Sequence, residues 1–95
     1  MIRYRISSLA RLDLDEIYDY IANDKPDAAR RWLMNTMAQF AWLSKTPLVD
    51  ESRDDVRPGL RSISHGNYVI YFRCRPDCVE VVRVLHGTRD THGLL

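Results

Sequence analysis

A chain of 95 residues makes one small domain, which buries only about two-thirds of the surface its unfolded form exposes and must therefore build a lean core. With 45% apolar and 28% charged residues it has the composition of a soluble globular protein; no apolar run approaches the ~20 residues of a membrane helix, and MIRYRISS lacks the apolar stretch of a signal peptide. A net charge of +1 argues against a protein that lives on nucleic acid, so no sequence-specific nucleic-acid partner is expected, and the cytoplasm is the default location.

Ile2 to Ile6 alternates apolar and basic residues and reads as a first strand. Ser7 and Ser8 then offer N-cap hydroxyls for a helix running to about Asn23, with Ala10, Leu14, Ile17 and Ile21 as its apolar stripe. Asp13, Asp15, Glu16 and Asp19 fall on its other faces, the early acids suiting the positive end of the helix dipole. Pro26 opens a second helix that should reach about Ser44, because proline is tolerated in a first turn and not in an interior. Its core stripe is Ala29, Leu33, Met37, Phe40 and Leu43. Trp32, Met34, Ala38, Ala41 and Trp42 lie off that stripe, so either a tryptophan wraps back onto the fold or the surplus marks a protein partner.

Thr46 to Pro58 combines two prolines with several acids and two arginines and reads as an exposed loop. From Gly59 to Asp90 three strands follow in a meander. Tyr68, Ile70, Phe72 and Cys74 alternate with Val69, Tyr71, Arg73 and Arg75, which predicts a strand with two distinct faces. Tyr68 and Tyr71 then point opposite ways, one into the core and one toward a partner. Gly66-Asn67 and Pro76-Asp77 supply the turns. The predicted fold is α+β, in the order β-α-α-β-β-β, with a helical hairpin on a small antiparallel sheet.

Candidates for chemistry are few. Cys74 and Cys78 flank a turn and read as free thiols, and His65, His86 and His92 are too scattered for a metal site; no cofactor or metal is expected. Twelve of the fourteen basic residues are arginine, a fork for carboxylate or phosphate and a poor proton shuttle. From Val56 onward Arg57, Arg61, Arg73, Arg75, Arg83 and Arg89 outweigh Asp77, Glu80 and Asp90. Arg61 suits either an anion or an internal carboxylate. His86, Arg89 and His92 form the one cluster able in principle to cleave RNA, against the plainer reading of strand-end and tail residues.

Ala10, Asp13-Leu14, Ile17 and Tyr20-Ile21, then Pro47, Gly59-Leu60-Arg61, Tyr68, Ile70 and Tyr71, and finally Val84-Leu85-His86-Gly87 leading to Arg89-Asp90, resemble in their order and spacing the ParE branch of the RelE/ParE toxin superfamily. The resemblance implies the toxin of a type II toxin-antitoxin module, neutralised by an antitoxin that wraps around it. ParE-like members poison DNA gyrase, whereas RelE-like members cleave mRNA on the ribosome. Nuclease relatives carry sheet lysines and a C-terminal aromatic or histidine; here Lys25 and Lys45 belong to the helices, no tyrosine follows Arg89, and only His92 could stand in. Gyrase binding is thus favoured over a nuclease built on Arg61, Arg89 and His92. The residues expected to meet the target are Arg61, Arg73, His86, Arg89, Asp90 and His92; those expected to meet the antitoxin are Trp32, Trp42, Tyr71 and Arg75.

Overall fold

The computed structural model describes residues 4–45, 51–52 and 57–88. In chain order these form β1 (Tyr4–Ile6), α1 (Ser8–Ala22), α2 (Pro26–Lys45), β2 (Glu51–Ser52), β3 (Arg61–His65), β4 (Tyr68–Cys74) and β5 (Val79–His86). The strands build one five-stranded sheet in the order β1-β5-β4-β3-β2. The meander β3-β4-β5 is antiparallel as expected. Two features differ from expectation: β1 joins β5 in parallel, making the sheet mixed, and Glu51–Ser52 inside the expected loop pairs with Ser62 and Arg61 of β3.

Ser7 caps α1 as its sequence position suggests, its Oγ accepting from Ala10 N at 3.0 Å. The first turn of α1 contains no acid, so the dipole role expected for the early carboxylates is not met. Between β3 and β4, Gly66 takes φ +61° while Asn67 keeps φ negative, the sign pattern of a II′ hairpin turn that glycine enters without a Cβ clash. At the other hairpin Cys74 lies opposite Val79, and Arg75 N donates to the carbonyl of Cys78 at 2.8 Å; neither cysteine is in a disulfide.

The helices cover one face of the sheet. Ala10 and Leu14 of α1, Phe40 and Leu43 of α2, and Ile70, Phe72, Val79, Val81 and Val84 of the sheet form the main core. Tyr4 closes it with an edge-on contact to Phe40 at 5.8 Å. Opposed strand residues share a face, so Arg61, Ile63, His65, Tyr68, Ile70 and Phe72 look toward the helices. A smaller cluster of Leu60, Tyr71 and Leu85, with Val69 and Val82 against it, sits on the other face. Tyr71 is therefore a core residue, buried with 6% exposed, and not the partner-facing tyrosine expected. Alternation correctly separated Tyr68 from Tyr71, but both sheet faces bury apolar side chains.

Candidate functional site

The register of β4 and β5 slips between Tyr71 and Phe72, which face Arg83 and Val81 and leave Val82 as the extra residue of a bulge. A bulge shifts the alternation by one, so Val81 and Val84 both reach the main core although three residues apart. Arg83, opposite Tyr71, reaches round to α1, where Asp13 receives it as a fork: Nε to Oδ2 at 2.7 Å and the terminal nitrogen to Oδ1 at 2.8 Å. The backbone N–H of Val84 adds a third bond to Oδ2 at 3.0 Å. Asp13, expected off the apolar stripe, is thus buried, with both carboxylate oxygens bonded. This bonding raises the Arg83 pKa, against the opposing effect of burial.

Asp13 does more than neutralise a charge. β1 pairs with β5 only as far as Val81, after which the chain turns into α1. Ser7 continues the edge, its N–H bonding the carbonyl of Val81 at 3.0 Å and its hydroxyl that of Val82 at 2.7 Å. Asp13 then takes the N–H of Val84, so side chains of the α1 entrance stand where a strand would otherwise be.

Next to this lock a row of rings crosses the sheet. His65, Tyr68 and His86 are successive cross-strand partners on β3, β4 and β5. Tyr68 meets Trp32 of α2 at 5.6 Å and His86 at 5.5 Å, both edge-on, the geometry that the aromatic quadrupole favours. Burial, and then Tyr20 nearby, raises the Tyr68 pKa. Thr36, buried in α2, donates to the carbonyl of Trp32 at 2.7 Å and so has only a lone pair left for His65 Nε2 at 3.1 Å, which makes that nitrogen the donor. Burial lowers the His65 pKa. A cleft of about 90 Å³ runs from Asp13 and Glu16 past Tyr68 to His86.

His86 is exposed, but its ring is not free to choose. The N–H of Thr88 points at Nδ1 from 3.3 Å, beside a 2.8 Å contact from the Thr88 hydroxyl. An N–H can only donate, so in the neutral ring Nδ1 accepts and Nε2 carries the proton.

The residues singled out in the sequence are divided by this geometry. Arg61 lies on the helical face at the end of β3 remote from His65 and His86, and Arg73 lies on the opposite face. Arg73 stands across from Glu80, which also aligns with Arg5 of β1 and bonds Arg75 at 3.1 Å. Arg73 Nε is buried and without a hydrogen-bond partner. Arg89, Asp90 and His92 lie outside the described residues. Trp32 packs half-buried against the main core, which answers the surplus aromatic on α2 in part, while Trp42 stays 42% exposed. Thr36 drew no attention in the sequence, and His65 only as one of three scattered histidines. The available signals were Asp13 interrupting the spacing from Ala10 to Leu14 and Ile17, and Arg83 interrupting an apolar strand.

The comparisons agree with this architecture. Residues 4–91 match the family described as ParE toxin of type II toxin-antitoxin system, parDE. The chain belongs to the ParE toxin family. It is 31% identical over 91 residues to Toxin ParE1 of Mycobacterium tuberculosis, covering 93% of this chain and 92% of the relative. It is 29% identical over 100 residues to Toxin ParE1 of Caulobacter vibrioides, covering 97% and 96%. A solved structure titled as a chromosomal ParDE TA system from P. aeruginosa superposes with a TM-score of 0.77 at 21% identity, over 90% of this chain and 96% of the other, and shares its fold. Membership in ParE places the chain in a toxin-antitoxin system and implies an antitoxin as partner.

Proposed function

We propose that this chain acts in the cytoplasm as a single toxin domain that inhibits DNA gyrase by binding it, and that a cognate antitoxin silences it. The observation that carries the binding mode is the state of His86. Thr88 is held against Nδ1, so the exposed ring presents its Nε2 edge to a target surface. The separation of Arg61 from His86 by the length of β3 supports the same reading, because a nuclease needs its phosphate clamp beside its acid-base groups. Target contact is assigned to His86 with Arg89, Asp90 and His92 close in sequence, and to Arg61 and Arg73 as separate contacts. Antitoxin contact is assigned to Trp42, to the exposed edge of Trp32 and to Arg75.

The test is supercoiling of relaxed plasmid by purified gyrase with and without the protein, run beside an mRNA-cleavage assay on programmed ribosomes. Inhibited supercoiling with intact mRNA is the expected result. Cut mRNA with unimpaired gyrase would replace this reading with the nuclease.

A further inference from the structure

The cleft that runs from Asp13 and Glu16 past Tyr68 to His86 contains one charged group that the fold leaves unused. Both oxygens of Asp13 are bonded, and the Tyr68 ring is held between Trp32 and His86. Glu16 makes no hydrogen bond and no ion pair among the described residues; only its charge reaches Arg83. Asp13 and Glu16 set against Arg83 leave one negative charge over at the cleft, in a chain whose net charge is +1. Glu16 and His86 are exposed, so the cleft reaches the surface at both, while Ile17 and Val84 give it an apolar lining. Tyr20 follows Glu16 by one helical turn, is 78% exposed, and lies near enough to Tyr68 to help raise its pKa. An exposed tyrosine at the mouth of a ring-walled cleft is the composition of an interface.

We propose that this cleft receives one lysine or arginine side chain of the protein target, its stem on Ile17 and Val84 and its charged head at the Glu16 carboxylate; the assignment rests on the reading that the end of β5 carrying His86 meets that target. A volume of about 90 Å³ equals roughly three waters, enough for the end of one side chain and well short of the several hundred Å³ of a small-molecule site. Basic side chains lay their methylenes on apolar surface and keep the charge at a polar rim, which is the order of groups from Val84 out to Glu16. A divalent metal ion is a poorer occupant, because it calls for several oxygen ligands and Glu16 is the one carboxylate lining the cleft that is not already bonded. A carboxylate or phosphate would set like charge against Glu16. An uncharged apolar side chain would fill the same space and leave Glu16 unpaired.

The probes are N-acetyl-arginine methylamide and its uncharged analogue N-acetyl-norleucine methylamide, titrated into the full chain and followed by the NMR shifts of the Ile17 and Val84 methyl groups. The arginine probe should bind in the millimolar range and at least about threefold more tightly than the norleucine probe. Glu16→Gln should cut that affinity about threefold with circular dichroism unchanged. In the supercoiling assay Glu16→Gln should raise the amount of protein needed for half-inhibition of gyrase at least about fivefold, since the pair is desolvated in the complex. No shift at Ile17 and Val84, equal binding of the two probes, or arginine binding that survives Glu16→Gln would overturn the cation site. A parent protein that binds the arginine probe and leaves gyrase unimpaired would overturn the gyrase reading, while the probe result upholds the site. Undiminished gyrase inhibition by Glu16→Gln, with probe binding lost, would overturn the target as the source of the side chain. Self-association in sedimentation that Glu16→Gln abolishes would overturn it in favour of a second copy.

Discussion

The two helices break the amphipathic pattern in opposite ways. α1 turns an acid inward, burying Asp13 beside Ala10 and Leu14, whereas α2 turns Met34, Ala38 and Trp42 outward. On α1 the irregular residue serves a neighbouring strand, since Asp13 bonds Arg83 and the N–H of Val84 in β5. On α2 nothing within the described residues gives Met34 a comparable internal role, which is why that face suits a partner. A departure from pattern thus reads differently according to its direction: a buried polar group must have an internal partner, while an exposed apolar group stays available for an external one.

The strongest way to break this comparison is at the inner faces. Asp13→Ala removes the fork from a guanidinium that is only 12% exposed, together with the acceptor of a strand N–H, and should cost about 3 kcal/mol in urea unfolding. Phe40→Ala on α2, where the side chain is fully buried, should cost a similar ~3–5 kcal/mol, by cavity formation and not by loss of charge pairing. The two should be separable by Asp13→Asn, which keeps an acceptor for Val84 and should recover part of the loss. A result in which Asp13→Ala costs under about 1 kcal/mol would place Asp13 among ordinary surface acids.

A smaller effect is expected at the seam between α2 and the sheet. Thr36→Val removes the acceptor of the half-buried His65 and should cost about 1–3 kcal/mol. His65 itself should tilt the pH profile. Burial lowers its folded pKa below 6.5, so on acidification the unfolded chain takes up this proton first. Its contribution is complete above the unfolded value and is lost as pH falls through the lower folded one. His65→Gln should therefore flatten the decline in urea midpoint just below pH 6.5, and an unchanged slope would remove His65 as its source. The smallest effect belongs to the outer face, where Met34→Gln should alter stability by no more than about 0.5 kcal/mol; a larger loss would show that Met34 supports the fold.

Most of the fold was legible because it rests on local signals. Ser7 and Pro26 start helices where their side chains predict, and Gly66 opens the β3-β4 turn. What escaped depends on contacts between residues far apart in sequence. A three-residue strand such as Tyr4–Ile6 announces its alternation but not its partner, and the parallel pairing with β5 follows only once the helical hairpin has carried the chain across. In the same way Val81-Val82-Arg83-Val84 shows no clear period, since the bulge at Val82 exists only opposite Tyr71 and Phe72. The candidate site was less legible than the fold. His86 was found at the end of the last strand, but its neighbours His65 and Trp32 come from β3 and α2, and the row they form with Tyr68 is a product of register.

The lock at the edge of β5 also bears on synthesis. Ser7 bonds a carbonyl 75 positions further along the chain, and Asp13 an arginine 70 positions further. A nascent chain that has not yet extruded β5 therefore holds α1 with its carboxylate unpaired and the main core without Val79, Val81 and Val84. Contacts of such separation form late, after local helices and hairpins. A fragment that stops short of β5 therefore lacks both the middle of the sheet and the partners of the α1 entrance, and folding waits until β5 has been made.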